Sequence, residues 1–387
     1  MKMALKKFGK IPPSPISLID KIKQVEREKG FKVIRFDVAE PLFSPPKSAI
    51  RGTIDALNGG KFKYSSSWGI PELRLAITKF LKKTRNLDYK PDEVLITTGS
   101  KFANFAFFAG LLNHGDKVVL LKPYWTSYKA VPSILGIRTI EVWSTAPYHL
   151  NEEALKKAMA KKPKAIVVNT PNNPTGGLLN ESDIKLLRDL AQDYDLLVLS
   201  DEIDWAYVYD GDKFISPASI EGLRSRVVVT DGFSKAFGMT GWRVGFAAGP
   251  KQLIENMHII QEHSVSAPAT FAQYGCLSAI NDSDTCLKIN IEQCAINRKI
   301  VIEAFNNSNH VECDYNEGGF YVYPKLIDRR FRSTDEFAIE LLETAGVAVL
   351  PGAYFGDKRR HFRLCYALPQ AEVMIGVRRI NNFFEEL

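Results

Sequence analysis

The chain has 387 residues, 45% hydrophobic and 25% charged, which suits a globular protein built as one large two-part unit or as two domains. Its formal charge of +7 is spread over many Lys and Glu, favours small anionic ligands slightly, and is too mixed to argue for nucleic acid. Five irregularly spaced cysteines (Cys276, Cys286, Cys294, Cys313, Cys365) with no C-x-x-C argue against a disulfide framework or a metal site. The lysines at 2, 6, 7 and 10 read as a solvated terminus with no apolar segment after them, and the longest apolar run, Phe102 to Leu112, is too short for a bilayer. A cytoplasmic protein without a membrane partner is expected.

In chain order, residues 1–40 hold a Pro-rich start and a charged helix, "IDKIKQVEREKG". From about residue 92 the pattern alternates: "DEVLITT" reads as a strand, "FANFAFFAGLL" as a helix, then "KVVLL", "RTIEVW", "AIVVN", "LLVLS" and "RVVVTD" as strands, with helical stretches between most of them. Almost continuously apolar strands alternating with helices imply right-handed crossovers and a sheet covered on both faces. The expected fold is therefore α/β: a large domain over 45–285 with a mostly parallel sheet flanked by helices, plus a smaller α+β domain assembled from both chain ends, 1–44 and 286–387.

Ligands of such sheets bind beyond the carboxyl ends of the strands. After "VLITT" come Gly99, Ser100 and Lys101, a small turn opening a helix, which can offer backbone N–H groups to a phosphate or simply cap the helix. After "AIVVN" comes "TPNNPTGG", a turn in which prolines frame Asn172 and Asn173. Asp201 ends "LLVLS", where a buried carboxylate needs a cation or a cap. After "RVVVTDG" come Phe233, Ser234 and Lys235, with Arg243 eight residues beyond the lysine, among glycines and other small residues. Burying a lysine is costly unless chemistry or a partner compensates. An anion cradle, a carboxylate, an asparagine, a desolvated lysine and an arginine together suit pyridoxal phosphate: the amine meets the aldehyde, the acid meets the pyridine nitrogen, and the cradle meets the phosphate.

The chain resembles the class-I, fold-type-I aminotransferases, in their aspartate and aromatic branch, over nearly its whole length. "KYSSSWGIPELR", "ITTGSKFA", "GDKVVLLKPYW", "NTPNNPTGG", "SDEI", "SKAFGMTGWRVGF" and "HFRLCYA" occur in that family's order and spacing. The resemblance implies a pyridoxal-phosphate-dependent aminotransferase working by ping-pong transamination, with aspartate as preferred donor and 2-oxoglutarate as preferred acceptor. It implies Lys235 as the Schiff-base lysine and proton shuttle, Asp201 at the pyridine nitrogen, Asn173 at the phenolic oxygen and Trp125 on the ring face. Gly99, Ser100, Lys101, Ser234 and Arg243 are implied around the phosphate. Arg363 is implied as the clamp for the substrate α-carboxylate, with Asn173 and the backbone of Ala39 nearby. Tyr64 is implied to reach a neighbouring subunit's phosphate, hence a homodimer.

Two positions depart from the family pattern. Asp204 stands where the family usually has tyrosine, so a carboxylate would face the phenolic oxygen. Asp204 is expected to raise the Schiff-base pKa, or Tyr207 to take over the donor role. Ala39 replaces a glycine in "AEPLF", which crowds the substrate carboxylate. Lys101 can meet a distal substrate carboxylate, while Phe320, Tyr321, Tyr354 and Phe355 could line an aromatic-accepting pocket. The alternatives are an aromatic-amino-acid aminotransferase, or a C–S lyase or decarboxylase on the same scaffold. "GFSKA" misses the G-x-S-x-G nucleophile elbow at Ala236, which speaks against a serine hydrolase. A non-catalytic sensor would need an added nucleic-acid-binding module, for which the chain shows no extra length.

Overall fold

Seven strands form one sheet in the order Val94–Thr97, Gly245–Ala248, Val227–Gly232, Leu197–Asp201, Ala165–Asn169, Lys117–Lys122 and Arg138–Trp143. The last five run parallel, and Gly245–Ala248 runs antiparallel to both of its neighbours. This is the structure in a computed structural model that describes residues 19–386 apart from 42 and 147; the basic terminal lysines and the Pro-rich start lie outside the described residues. No helix among the described residues is long and apolar enough to cross a membrane.

Strand side chains alternate between faces, so each apolar run feeds two cores. Val119, Leu121, Ile166 and Val168 join one cluster, and Val118, Leu120, Ala165 and Val167 join the other, across the sheet. The Gly245–Ala248 strand has no β-branched residue, so local propensity does not reveal it. Its neighbours impose it: a Cβ on Gly232 would lie 2.9 Å from the Cα of Gly245, an approach only glycine allows. Helices also occupy Lys47–Asn58, Pro71–Arg85, Lys251–Glu262 and Thr270–Asn281, beyond those the alternating pattern names. Pro71–Arg85 is bounded by a proline in its first turn and by Asn86 in the left-handed conformation.

Near the ends of the chain, Ile34–Arg35 pairs in parallel with Val347–Ala348, and the Phe36 carbonyl accepts from the Cys365 N–H at 2.9 Å. Ile34 and Phe36 share an apolar cluster with Phe305, Phe337, Phe362 and other residues late in the chain. A three-stranded antiparallel sheet of Tyr321–Val322, Phe362–Cys365 and Leu350–Pro351 carries Arg363 at its centre.

Beneath the large sheet's carboxyl edge lies a buried ion network. Arg85, the last residue of its helix, donates to Glu202 at 2.9 Å and to Asp231, with all three side chains at most 2% exposed. Ser200 and Ser216 hydroxyls donate to the other Glu202 oxygen at 2.9 and 2.6 Å. The Arg85 guanidinium also covers the Trp205 ring at 4.4 Å. Burial pushes the Asp231 carboxyl up to about 6, against the pull of Arg85. Replacing Arg85 by methionine leaves two buried carboxylates without a cation. Denaturant unfolding of the variant at pH 8 is expected to show a loss of about 3–5 kcal/mol. That loss shrinks as the pH falls toward about 6, because without Arg85 the Asp231 carboxyl takes up its proton at a higher pH than it does beside the guanidinium.

Candidate active site

A cavity of about 570 Å³ opens at the carboxyl ends of the parallel strands. Asn169 and Asp201, each the last residue of its strand, and Ser234 and Lys235, just after Gly232, line one side. Ser100, Lys101, Trp125, Asn173 and Arg243 line it as well. The opposite wall comes from Arg35 to Glu40, with Ala39 among them, and from Tyr321, Phe355 and Arg363. Gly99 lies directly behind Arg243. Tyr64 is not on this wall and is 98% exposed.

Asp201 is held by its neighbours in a fixed pose. One carboxylate oxygen accepts from Asn104 and from the Tyr128 hydroxyl, both at 2.6 Å; the other accepts only from the Ile203 N–H, at 3.2 Å. Burial raises its pKa, and the Tyr128 and Asn104 donors pull it back toward the carboxylate range. Asn169 anchors the backbone on both sides: its amide donates to the Asp201 carbonyl at 3.0 Å, and its side-chain oxygen accepts from the Asn173 N–H at 2.8 Å.

The anion end is largely backbone. The helix Ser100–Leu111 starts after Gly99 with no side chain capping it, so its first N–H groups stay available. Gly99 has φ 74° and Arg243 has φ 55°, both left-handed. A Cβ on Gly99 would sit 2.7 Å from the Arg243 guanidinium, and one on Gly245 would sit 2.4 Å from the Ser100 nitrogen. Arg243 donates to the Thr240 carbonyl at 2.9 Å. The Lys101 ammonium lies 5.2 Å over the Trp125 ring; partial burial, then the like charge of Arg243, lower its pKa.

At the far wall Arg363 is 3% exposed. It donates to the Asp37 carbonyl at 2.6 Å and to the Asn173 side-chain oxygen at 3.0 Å, while its Nε has no partner. The Asn173 oxygen being engaged, its amide NH₂ is the group left to donate. The Arg363 guanidinium lies 4.9 and 5.1 Å from the Tyr321 and Phe355 ring centres. Of the four aromatic candidates, Tyr321 and Phe355 line the cavity. Phe320 sits 5.9 Å below the Lys235 ammonium, and Tyr354 contributes its carbonyl, which accepts from Thr126 at 2.5 Å.

The Lys235 ammonium donates to the Ala39 carbonyl. Burial lowers its pKa, and the negative charge of Asp204 is the largest influence opposing that. Asp204 is 1% exposed, lines the cavity, and has no partner for either carboxylate oxygen. Burial pushes its pKa up to about 7. Tyr207 does not reach the cavity wall: its hydroxyl donates to the Lys235 carbonyl at 2.9 Å and its ring packs edge-on against Phe320. It braces the lysine turn instead of replacing a donor inside the cavity.

Several wall residues escape a reading confined to the turns after each strand. Asn169 is the final residue of "AIVVN" and Tyr128 lies in the helix after "PYW", so both were within reach of the strand-end rule. Arg35 and Glu40 come from the distant N-terminal segment. Arg35 forms a two-pronged pair with Asp37, at 2.7 and 2.8 Å, and Glu40 accepts from Thr240. Only the folded chain brings them here.

A family model described as aminotransferase class I and II matches residues 32–380. The chain is 32% identical to an aspartate aminotransferase of Bacillus subtilis over the whole length of both proteins. It is 35% identical to a probable aspartate/prephenate aminotransferase of Aquifex aeolicus, covering 97% of each. Among solved structures, the aspartate aminotransferase of Thermus thermophilus with maleate superposes with a TM-score of 0.92 at 31% identity, covering 99% of this chain and 100% of that one.

The Asp204 environment yields a pH test. A carboxyl whose pKa rises on folding contributes stability that is fully present below its unfolded value, near 4, and is lost as pH rises through its folded value. The cofactor-free protein is therefore expected to lose stability between pH 4 and about 7 from this group. Asp204→Asn removes that slope. In denaturant unfolding at pH 8 the variant is expected to exceed wild type by on the order of 3 kcal/mol, with the difference gone at low pH.

Proposed function

The chain belongs to the class I and II aminotransferase family and is an aminotransferase, and from that premise we propose that it moves an amino group from an L-amino acid, aspartate first, to a 2-oxo acid such as 2-oxoglutarate. The family implies pyridoxal phosphate as cofactor. The observation that carries this reading is the meeting of Lys235, Asp201 and Arg363 in one cavity from three distant parts of the chain.

The donor set fits the cofactor. Asp201 keeps one oxygen with a single weak donor and can accept a ring N–H there. The Gly99 and Ser100 backbone leaves a cradle beside Arg243 that a side chain would fill. The Asn173 amide is available to a ring oxygen, and the Trp125 indole can cover a ring face. Pyridoxal phosphate, when bound, supplies an aldehyde that captures the amino group and a protonated ring that delocalises the electron pair left at the substrate Cα.

The protein's own groups bind, orient and move protons. Asp201 holds a proton at the pyridine nitrogen. Lys235, with its pKa lowered by burial, presents a neutral amine nearer to neutrality and takes the proton from the substrate Cα. Arg363 holds the α-carboxylate through its fork, and its unpartnered Nε gives it an unused donor. Lys101 meets a distal carboxylate. The maleate bound to the Thermus neighbour, a dicarboxylate, supports a dicarboxylic substrate. Tyr321 and Phe355 on the wall favour aromatic donors as the second reading.

We further infer a homodimer in which Tyr64 enters the partner's site; its exposure, beside the exposed Phe62, supports this. The division into 45–285 and the paired segments 1–44 and 286–387 is supported by the separate apolar cluster that Ile34 and Phe36 share with the later residues. Five free cysteines suit a reducing cytoplasm.

The test is the absorbance of the cofactor-loaded protein with L-aspartate and no oxo acid. The visible band should be lost, and 2-oxoglutarate should restore it; an unchanged band removes aspartate as donor. Lys235→Ala is expected to lose turnover by orders of magnitude, whereas Arg363→Ala should raise KM for the amino acid about a hundredfold with the cofactor spectrum intact. The dimer has its own test. Mixing inactive Lys235→Ala with a Tyr64→Ala variant before reassembly should restore up to about a quarter of wild-type activity, since half the dimers then carry one intact site. No restoration would mean that Tyr64 acts within its own chain or not at all.

A further inference from the structure

Asp204 is the one buried carboxylate among the described residues with both oxygens unpartnered. Removed from water, such a group stays neutral or finds a cation. Its charged and titratable neighbours leave few choices. Asp201 and Asp231 are like-charged and already supplied with donors. The phenols of Tyr207 and Tyr321 and the thiols of Cys294 and Cys365 are driven by burial further from ionisation. Arg363 opposes the carboxyl's shift only weakly, and two arms of its fork are committed to Asp37 and Asn173. That leaves Lys235. It lines the same cavity, and the two groups are each other's largest electrostatic influence.

We propose that Asp204 is a second proton-carrying group of this cavity, exchanging one proton with the Lys235 amine so that the two side chains titrate as a pair. Asp204 and Lys235 make no direct hydrogen bond, so the exchange runs through a water in the cavity: the Asp204 O–H bond breaks, the water passes a proton on, and a Lys235 N–H bond forms. A carboxylic acid and an amine become a carboxylate and an ammonium, with no change in total charge and no further reactant. Because the net charge stays constant, a proton can be stored next to the amine without the cavity gaining a charge. Asp204 thus acts through Lys235 as a positioning residue that sets the amine's protonation. Its catalytic use rests on the aminotransferase reading; the pairing itself does not.

The test uses the full-length chain freed of cofactor and involves no turnover. Two readouts are followed from about pH 5 to pH 9: the protonated-carboxyl C=O stretch in infrared difference spectra, and competitive acetylation of Lys235 read by peptide mass spectrometry, with exposed lysines as internal standards. Wild type should show a carboxyl band that disappears through neutrality and is absent from Asp204→Asn. In Asp204→Asn, Lys235 should be acetylated about tenfold faster near pH 8, where wild-type Asp204 is ionised, because the charge that holds its proton is gone. Reciprocally, Lys235→Met should move loss of the Asp204 band to higher pH, and Asp204→Glu should restore the wild-type acetylation profile. These variants act on opposite members of the pair, so either one suffices if the other fails to fold. A carboxyl band missing at pH 5, or one variant leaving the other group's titration unmoved, overturns the pairing. Intact pairing in a holoenzyme inert to amino acids would overturn the functional reading and leave the pairing standing.

Discussion

A single buried guanidinium sets the geometry on which the rest of the molecule depends. Arg85 ties Glu202, one residue beyond Asp201, to Asp231, four residues before Lys235. The carboxyl ends of two adjacent strands are thereby locked together by two charged hydrogen bonds, reinforced by the Glu202 N–H donating to the Thr230 carbonyl at 2.9 Å. Charge-assisted bonds of this kind are stiff because neither partner has water to turn to. The acid and the amine that must face the same ligand therefore inherit their separation from a network that touches neither of them.

The groups lining the cavity above that network are unevenly supplied with hydrogen-bond partners from the protein. Asp201 is well supplied with donors, whereas Asp204 has none, and Lys235 has the Ala39 carbonyl alone. Burial raises both carboxyls, three residues apart, but only Asp201 has hydrogen-bond donors that pull it back, the kind of difference in surroundings by which one fold separates an acid from a base. Arg363 shows the same partial satisfaction: two donors engaged, one idle and buried. A site whose groups are underbonded in this way gains most when a ligand arrives to complete them.

Much of this was legible from the amino-acid sequence. The apolar runs named every parallel strand of the large sheet, because the inner strands are buried on both faces and the edge strand Arg138–Trp143 alternates between buried and less buried residues. The strand-end rule pointed to Asp201, Asn173 and Lys235, since their neighbours in sequence are also their neighbours in space. Gly245–Ala248 was not legible, because its strand conformation is imposed by adjacent strands on a Gly-Phe-Ala-Ala run with no such preference of its own. Arg35, Glu40 and the supporting role of Asn104 were hidden for a related reason. They are defined by contacts across long sequence distances, and no local pattern encodes those. The Asp204 substitution was visible at once, but its missing hydrogen-bond partners could only be seen with the side chains packed.

The two ends of the cavity differ in what they are made of. At the anion end the contacts are main chain, and the room for them exists because Gly99 and Gly245 carry no side chain. At the opposite end Tyr321, Phe355 and Arg363 present side chains from separate elements. Point mutation rewrites side chains freely and main chain hardly at all. Such a scaffold is able to drift in what its side-chain end accepts while its main-chain end stays fixed, so diversification of this architecture runs along one axis of the cavity and is closed along the other.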